Sequence, residues 1–318
     1  MKDILYIVIP CYNEEDVLKE TSKVLKNKLE ALIKDGCINK KSKVLYVNDG
    51  SIDKTWDLIK EIHSSDSIFT GINLSRNVGH QNALYAGLMV AKEDADFVVS
   101  MDADLQDDIS AIDKMIQNYY DGCDIVYGVR NNRKKDTLFK RRTAQFYYKF
   151  MKFIGVEIIY NHADYRLSSK RVLNQLENYK EVNLFLRGIY PTLGYQSSIV
   201  YYERQERFAG KSKYPLKKML SFAWNGITSF SIKPIKLVLN IGVIIFVLSM
   251  ITIIYSIIRK IMGATVSGWT FIVCSIWFVA GLQMLSLGII GEYIGKIYSE
   301  SKARPRYIIT DQLDKKKK

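Results

Sequence analysis

The chain has 318 residues, enough for one large domain or two smaller ones, and its formal net charge of +13 with a pI near 9.3 predicts an anionic partner. Nucleic acid, anionic lipid and a phosphorylated substrate all satisfy that charge. Four cysteines without the paired spacing of metal or redox motifs exclude those site classes and predict free, reduced thiols in a cytosolic setting.

Residues 1 to about 130 alternate between apolar runs and amphipathic stretches. The apolar runs predict strands at Ile4–Ile9, Val44–Val47, Ile68–Leu74, Phe97–Met101 and Ile125–Tyr127. The stretches between them predict helices at Glu14–Lys34, Lys54–Ser64, Gln81–Ala91 and Ile109–Asp121. Such alternation predicts βαβ units in a mostly parallel sheet that helices cover on both faces. Ligands of these sheets bind at the carboxyl ends of the strands, which is where we expect a site.

The segments that follow the first four predicted strands carry the polar motifs "PCYNEE", "NDGSIDKT", "SRNVGHQNA" and "DADLQDD". The last of these places Asp102, Asp104, Asp107 and Asp108 directly after a buried strand, where the four carboxylates repel one another. Acids spaced like Asp102 and Asp104 can hold Mg²⁺ or Mn²⁺ between themselves and a diphosphate. Such a metal would remove the repulsion and stabilise the charge of a leaving diphosphate.

The motif "NDGS" indicates a second polar site. Asp49 can accept hydrogen bonds from a base or a ribose, while Gly50 permits a tight turn. A plain strand-to-helix turn with Ser51 or Asp53 as N-cap is compatible with that role. The sequence lacks G-x-G-x-x-G and G-x-x-x-x-G-K-[ST], so dinucleotide and P-loop sites lose their main support.

From residue 130 onward the periodicity weakens and basic residues gather. Apolar and lysine residues mix over Tyr214–Lys236, which predicts a helix in the membrane interface with Trp224 at headgroup depth. Leu237–Ile258 has 22 residues without a charge and Ile261–Gly291 has 31. A bilayer core needs about 20 helical residues, so both stretches are long enough to span it.

These patterns divide the chain into four parts. We expect a catalytic domain at 1–213, interfacial amphipathic helices at 214–236, a transmembrane hairpin at 237–291 with helices at about 237–258 and 266–290, and a basic cytosolic tail at 292–318. Basic residues on both flanks of the hairpin predict that the two termini face the cytosol. Because these residues cluster beside the spans, we expect anionic lipid and a lipid phosphate as partners and no nucleic acid.

Seven motifs in order resemble a known family: "IPCYNEE", "VNDGSIDKT", "LSRNVGHQNALYAG", "MDADLQDD", "YGVR", "ADYRLSSKRV" and "RFAGKSKYPLKKM". Together they resemble the family 2 glycosyltransferases of the GT-A fold, and more narrowly the bacterial polyprenyl-phosphate glycosyltransferases and dolichol-phosphate mannosyltransferases. The resemblance covers essentially the whole chain, including the hairpin. It implies an α/β GT-A domain on a multi-pass anchor in a bacterial cytoplasmic membrane.

The resemblance also implies a reaction. We expect inverting transfer of one sugar from a nucleotide sugar, UDP-glucose or UDP-N-acetylglucosamine, to undecaprenyl phosphate or another polyprenyl phosphate on the cytosolic face. The Q-x-x-R-W signature of processive polysaccharide synthases is absent from the sequence, which favours single-sugar transfer. Implied partners are a flippase and a downstream polytopic glycosyltransferase, and the implied assembly is a homo-oligomer, with a tetramer as our expectation.

Site residues follow from the resemblance, position by position. The donor-binding positions are Pro10, Tyr12, Asn13, Glu14, Val47, Asp49, Asp102, Ala103 and Lys213. The metal positions are Asp102, Asp104 and Gln106; the acceptor phosphate positions are Arg130, Arg141 and Gln145; the catalytic positions are Asp102, Asp104 and Asp164. Two departures affect finer contacts: Asn48 stands where many relatives carry an acid, and Gln145 where a serine often assists the lipid phosphate.

The role of Asp164 stays open at this point. An acceptor phosphate, with a second pKa of about 6, is already ionised near neutral pH, so its attack needs no strong base. The remaining work is positioning and charge stabilisation by arginines and a metal. Asp164 can orient the acceptor, act as a base, or bond to nearby backbone or Arg166. Two alternatives remain: transfer to a hydroxyl glycolipid acceptor, which needs Asp164 as a true base, and a catalytically silent membrane scaffold, which the intact Asp102 and Asp104 pair disfavours.

Overall fold

The computed structural model describes residues 2–131, 162–182, 184–203 and 268–314, and isolated positions between 235 and 262. Within them the strands are β1 Leu5–Cys11, β2 Lys43–Asn48, β3 Phe69–Leu74, β4 Phe97–Ser100, β5 Ile125–Arg130, β6 His162–Ser169, β7 Ser197–Tyr202 and β8 Ile309–Gln312. The helices are α1 Leu18–Lys34, α2 Thr55–Ser65, α3 His80–Asp94, α4 Ala111–Tyr120, α5 Lys170–Leu176, α6 Leu186–Thr192 and α7 Trp269–Ser301. Lys213, Arg141, Gln145 and most of the predicted interfacial segment lie outside the described residues.

All eight described strands belong to one sheet in the order β7-β5-β6-β4-β1-β2-β3-β8. The pairs β1–β2, β1–β4, β2–β3 and β5–β7 are parallel, whereas β6 runs antiparallel to β4 and β5, and β8 runs antiparallel to β3. The predicted α/β fold with a mostly parallel sheet is confirmed. The chain leaves β1 towards β2 on one side and returns as β4 on the other, which makes a crevice at their carboxyl ends where ligands of such sheets bind.

Two apolar cores lie on the two faces of the sheet. Side chains alternate between the faces along a strand. Leu5 and Ile7 of β1 therefore pack into the core that α1, α2 and α4 cover, while Val8 packs into the core beneath α3. Leu5, Ile7 and Val8 are fully buried, and burial of each such side chain stabilises the folded state by about 1.5–3 kcal/mol. The sheet is thus a rigid base for the loops at its carboxyl edge.

The five strands and four helices predicted over residues 1–130 all form, with shifted ends. The largest shift is at α1, which begins at Leu18 and not at Glu14, because residues 15–17 form a turn that is tied to the loop after β2. The sequence did not indicate β6, β7, α5, α6 or β8. The strand β8 comes from the segment predicted to be a basic tail. In the ranges given above, no helix reaches the length and apolarity that crossing a membrane requires.

Candidate active site

The loops after β2 and β3 are joined by the carboxylate of Asp49. This side chain is buried, and its two oxygens accept hydrogen bonds from the backbone N–H groups of Val78 (2.7 Å) and Gly79 (3.1 Å). Burial raises the pKa of Asp49, and the two amide donors partly offset that rise. Gly50 has φ +62°, and a Cβ there would lie 2.5 Å from the backbone of Arg76 and Asn77. Only glycine therefore allows the two loops to approach this closely.

The loop after β1 interlocks with the loop after β2. The N–H of Asn13 donates to Oγ of Ser51 (3.0 Å), and the N–H of Ile52 donates to Oδ1 of Asn13 (2.9 Å). The N–H of Glu14 donates to Oγ1 of Thr55 (2.9 Å). Asn13 adopts φ 53°, a conformation that asparagine tolerates better than most residues. We call these three loops, residues 12–15, 48–55 and 75–79, the loop cradle.

Most predicted donor-binding residues surround this cradle, but not all of their side chains line it. Tyr12 is 38% exposed at the mouth of the crevice. Pro10 is the one partly exposed residue of β1, whereas Val47 is completely buried against α3. Any contact of Val47 with a ligand must therefore come from its backbone.

The acids after β4 lie on the other side of the crevice. The side chain of Asp102 is 39% exposed, while Ala103 and Asp104 are buried. Oγ1 of Thr21 donates to the carbonyl oxygen of Ala103 (2.7 Å), which fixes this turn to α1. The N–H of Gln106 donates to Oδ1 of Asp104 (3.2 Å). The turn thus holds one carboxylate out towards the crevice and one beneath it.

Asp107 adds a third carboxylate to this group. It is buried, it accepts a hydrogen bond of 2.5 Å from the hydroxyl of Tyr202, and its Oδ1 lies 3.8 Å from a guanidinium nitrogen of Arg130. Burial, together with the charges of Asp102 and Asp104, raises the pKa of Asp107 to about 6. We call Asp102, Asp104 and Asp107 the acid cluster. Arg130 lies beside Asp107, and His80 lies beside Asp102.

Arg130 lies where the sequence predicted it, at the end of β5 and on the same edge as the acid cluster. Its Nε donates to the hydroxyl of Tyr202 (3.2 Å), the same hydroxyl that donates to Asp107. The side chain keeps 27% of its surface exposed. Tyr202 therefore orients the guanidinium towards the crevice and leaves part of it accessible to an anion.

Asp164 is surrounded by donors. Its Oδ1 accepts hydrogen bonds from Arg166 (2.9 Å) and Arg187 (3.2 Å), and its Oδ2 accepts from Arg187 (3.0 Å) and Gln81 (3.2 Å). Burial alone would raise the pKa of Asp164, but Arg187, His80 and Arg166 lower it well below its usual range. The interpretation that Asp164 bonds to Arg166 is confirmed. A carboxylate with this pKa and with both oxygens engaged is a poor proton acceptor.

His80 connects the two groups of carboxylates. It begins α3, and its Nε2 lies 3.4 Å from Oδ2 of Asp164 and 3.7 Å from Oδ1 of Asp102. Burial lowers the pKa of His80, but the hydrogen bond to Asp164 and the charges of Asp102 and Asp164 outweigh that effect and raise it. A charged imidazole here attracts both carboxylates.

Sequence reasoning assigned no role to His80, Arg187 or Tyr202 and named Asp107 only as one of four acids that repel one another, although all four residues shape the site. His80 was visible inside the motif "SRNVGHQNA". Arg187 carried a weaker signal, a single charge within the apolar run "LFLRGI". Among the residues that the structure describes, no group of three or more His, Cys, Asp or Glu side chains is arranged to hold a metal, so the Mg²⁺ or Mn²⁺ site stays a prediction. Cys11, Cys37 and Cys123 are free thiols, as predicted.

The chain is similar to known protein families and to individual proteins. The family model described as "Glycosyl transferase family 2" matches residues 6–177, and the model described as "GtrB C-terminal hairpin" matches residues 233–297. The chain is 54% identical to the uncharacterized glycosyltransferase YkoT of Bacillus subtilis (strain 168), over 98% of this chain and 92% of that protein. It is 36% identical to the bactoprenol glucosyl transferase of Shigella phage SfV, over 97% of this chain and 99% of that protein.

Similarity to solved structures is more distant. The glucosyl-3-phosphoglycerate synthase of Mycobacterium tuberculosis is 15% identical with a TM-score of 0.43, over 71% of this chain and 78% of that one, which is too low to bear on ligands. The family model alone covers more than half of the 318 residues, and the two relatives are covered almost from end to end. The chain therefore belongs to glycosyl transferase family 2 and is a glycosyltransferase.

Proposed function

We propose that this glycosyltransferase moves one sugar from a UDP-sugar to a polyprenyl phosphate at the cytosolic face of a membrane. The observation that carries the proposal is the similarity to a bactoprenol glucosyl transferase along almost the whole of both chains. A phosphate oxygen of the acceptor attacks the anomeric carbon as the bond to the nucleoside diphosphate breaks, with inversion. UDP-glucose and UDP-N-acetylglucosamine are the donors that we propose, and undecaprenyl phosphate is the acceptor.

The loop cradle and the acid cluster suit a nucleoside diphosphate and a divalent cation. The cradle offers backbone groups and Asp49 beside the crevice. The acid cluster holds three carboxylates together, and burial with the charges of Asp102 and Asp104 raises the pKa of Asp107 to about 6. Mg²⁺ and Mn²⁺ prefer oxygen ligands and usually share them with substrate phosphates. We propose that Asp102, Asp104 and Gln106 hold such an ion, which would neutralise the charge of the leaving diphosphate.

The surroundings of Asp164 favour a phosphate acceptor over a hydroxyl acceptor. A hydroxyl must lose its proton on attack, so its transfer needs a base, whereas a phosphate that is already ionised does not. Asp164 has a lowered pKa and accepts hydrogen bonds from two arginines, so it is poorly suited to that task. Arg130 is oriented and partly exposed, and a guanidinium fork matches phosphate oxygens. Arg141 and Gln145 complete the proposed phosphate site.

The membrane arrangement is also a proposal. We propose that two helices, at about 237–258 and 266–290, form a hairpin and that the catalytic domain and both termini lie in the cytosol of a bacterium. The pairing of β8 with β3 supports this, because it places residues 309–312 on the same side as the catalytic domain. The chain must then cross the membrane an even number of times between β7 and β8. We also propose a flippase and a downstream polytopic glycosyltransferase as partners. The assembly that we propose is a homotetramer.

The test is a donor screen in membranes that contain the full-length protein. Membranes are incubated with undecaprenyl phosphate, Mg²⁺ or Mn²⁺ and each of a panel of labelled nucleotide sugars, and the lipids are then extracted. We expect label in the organic phase for one UDP-sugar, and about 10²- to 10³-fold slower labelling in membranes that contain the Asp104→Asn variant. Label that stays in the aqueous phase for every nucleotide sugar and polyprenyl phosphate would refute the proposal.

A further inference from the structure

The C-terminal strand β8 pairs with the edge of the sheet that leads to the loop cradle. Asp311 of β8 is in register with Asn73 of β3, and Asn73 is in register with Asn48 of β2. The N–H of Ser75, the first residue of the third cradle loop, donates to the carbonyl oxygen of Ile308 (2.9 Å). The tail therefore contacts this loop directly where the loop leaves β3.

A chain of side-chain hydrogen bonds runs across the same three strands. Nδ2 of Asn48 donates to Oδ1 of Asn73 (2.6 Å), and Nδ2 of Asn73 donates to Oδ2 of Asp311 (3.3 Å). We call Asn48, Asn73 and Asp311 the polar ladder. Every donor in it points outward, and the ladder ends on a carboxylate, which is the stronger kind of acceptor. Its inner end, Asn48, is buried and directly precedes Asp49.

The inner end of the ladder reaches the cradle. Oδ1 of Asn48 lies 3.4 Å from the N–H of Ser51, whose own hydroxyl accepts from Asn13. The third loop, which begins beside Ile308, supplies the N–H groups of Val78 and Gly79 that hold Asp49. The tail is thus connected to the cradle by two routes, through the ladder and through the start of the third loop.

The segment between α7 and β8 is itself attached to the α/β domain. Both carboxylate oxygens of Glu300 accept from the N–H of Val182 (2.7 and 2.9 Å). Arg306 donates to the carbonyl oxygen of Tyr179, and its guanidinium lies 4.7 Å from the centre of the Tyr85 ring. These contacts keep β8 in place and link the end of α7 to the domain that carries the site.

We propose that β8 is a positioning element of the donor site, which acts through the polar ladder to hold the loop cradle in the shape that binds a nucleoside diphosphate. The identity of that ligand rests on the proposed function, whereas the effect on the loops does not. Asp311 is exposed, and its carboxylate accepts hydrogen bonds from Asn73 and Thr310, so we expect its effect on nucleotide affinity to be indirect.

The experiment exchanges the donor and the acceptor of the hydrogen bond between residues 73 and 311 in the full-length protein. Asn73→Asp removes the donor to Asp311 and places two carboxylates together, so we expect UDP to bind about 3- to 10-fold more weakly by calorimetry. Combining Asn73→Asp with Asp311→Asn restores a donor and an acceptor with the direction exchanged, while Asn48 still donates to position 73. We expect this double variant to bind UDP within about twofold of wild type.

Hydrogen exchange of residues 48–52 and 75–79 supplies a readout that needs no ligand. We expect faster exchange in Asn73→Asp and recovery in the double variant, because exchange follows local opening. Asp314→Asn is the matched control, since Asp314 lies in the same tail and pairs with Lys43 at 2.6 Å outside the ladder. It should change neither UDP affinity nor exchange in these loops.

Three results separate the possible failures. Wild-type affinity and exchange in Asn73→Asp, or a folded double variant that does not recover, would overturn the inference. If Asn73→Asp does not fold, Asp311→Ala at the exposed end takes its place, with faster exchange expected and unchanged exchange as the refuting result. If the wild-type chain binds no UDP while exchange responds as expected, the inference about β8 stands and the proposed donor fails.

Discussion

The acid cluster and Asp164 are both made of carboxylates at one edge of the sheet, but their charge balance is opposite. Burial and the charges of Asp102 and Asp104 raise the pKa of Asp107 to about 6, although Arg130 lies beside it. Asp164 faces two arginines and a histidine, and its pKa falls well below the usual range. The presence of a carboxylate alone therefore does not define what that residue does in the site. A carboxylate group with excess negative charge can accept a cation, whereas one with excess positive neighbours orients those neighbours.

The largest effect that we expect concerns stability at Asp164. Asp164→Asn leaves the buried Arg166 without its counter-charge, although Nε and NH1 of Arg166 already have no hydrogen-bond partner among the described residues. We expect the free energy of unfolding at pH 7 to fall by about 3–5 kcal/mol, as for other broken buried pairs. Denaturant titration measures it.

The pH dependence of this stability loss and a control variant test the prediction further. Because the pKa of Asp164 is lowered in the folded state, its stabilisation is present above the usual carboxyl pKa and is lost as pH falls through the lowered value. The carboxylate part of the deficit of Asp164→Asn should therefore be constant from pH 6 to pH 8, but the total should be larger at pH 6, because Asp164 also raises the pKa of His80 and that stabilisation is lost as pH rises. Asp113→Asn, which removes a surface pair with Lys28, should cost less than about 1 kcal/mol. A loss at Asp164 no larger than that would remove the contrast between the two regions.

The next effect is on catalysis at Asp104. Asp104→Asn removes a negative ligand where we propose that the leaving diphosphate and its metal lie, so we expect transfer to slow by about 10²- to 10³-fold. Rates under limiting Mg²⁺ and Mn²⁺ measure it. The control is Asp108→Asn, which lies in the same motif but outside the acid cluster and should keep most of the transfer rate. If Asp104→Asn kept most of the wild-type rate, the metal assignment would be wrong.

A smaller effect is expected at Asp107, where substitution should increase the stability of the folded protein. Because burial and neighbouring acids raise its pKa to about 6, its ionisation destabilises the folded protein at neutral pH. The stability associated with its proton is fully present below the unfolded value near 3.8 and is lost as pH rises through about 6. Asp107→Asn should thus raise the free energy of unfolding by about 1–3 kcal/mol at pH 8 in the absence of metal, and by much less near pH 4. An equal change at both pH values would argue against excess negative charge.

The smallest expected effect is on the acceptor. Arg130→Lys and Arg141→Lys each replace a planar fork with a single ammonium, so we expect about 3- to 10-fold more polyprenyl phosphate to be needed for half-maximal rate, while UDP-sugar binding changes less. Acceptor titrations measure it. Lys134→Ala, from the same basic stretch, should be nearly silent. Identical curves for all three variants and wild type would show that the arginines are only surface charge.

The sequence predicted the first half of the sheet because its strands are apolar runs between amphipathic helices. It did not predict β6, where Asp164, Arg166 and Ser168 occupy buried positions and remove the apolar alternation. It did not predict β8 either, since "ITDQ" is short and polar and is a strand only through its pairing with β3. For the site, motifs gave the residue types, but only the structure shows that Asp164 is held by Arg187, more than 20 positions away.

The most direct test of the account is a comparison of two acceptors that differ only in the phosphate. Purified full-length protein with a labelled UDP-sugar and Mg²⁺ or Mn²⁺ is given either undecaprenyl phosphate or undecaprenol, and the labelled lipid is quantified. Because Asp164 is poorly suited to act as a base, we expect product with undecaprenyl phosphate and none with the alcohol. Transfer to undecaprenol at a comparable rate, lost in Asp164→Asn, would contradict it.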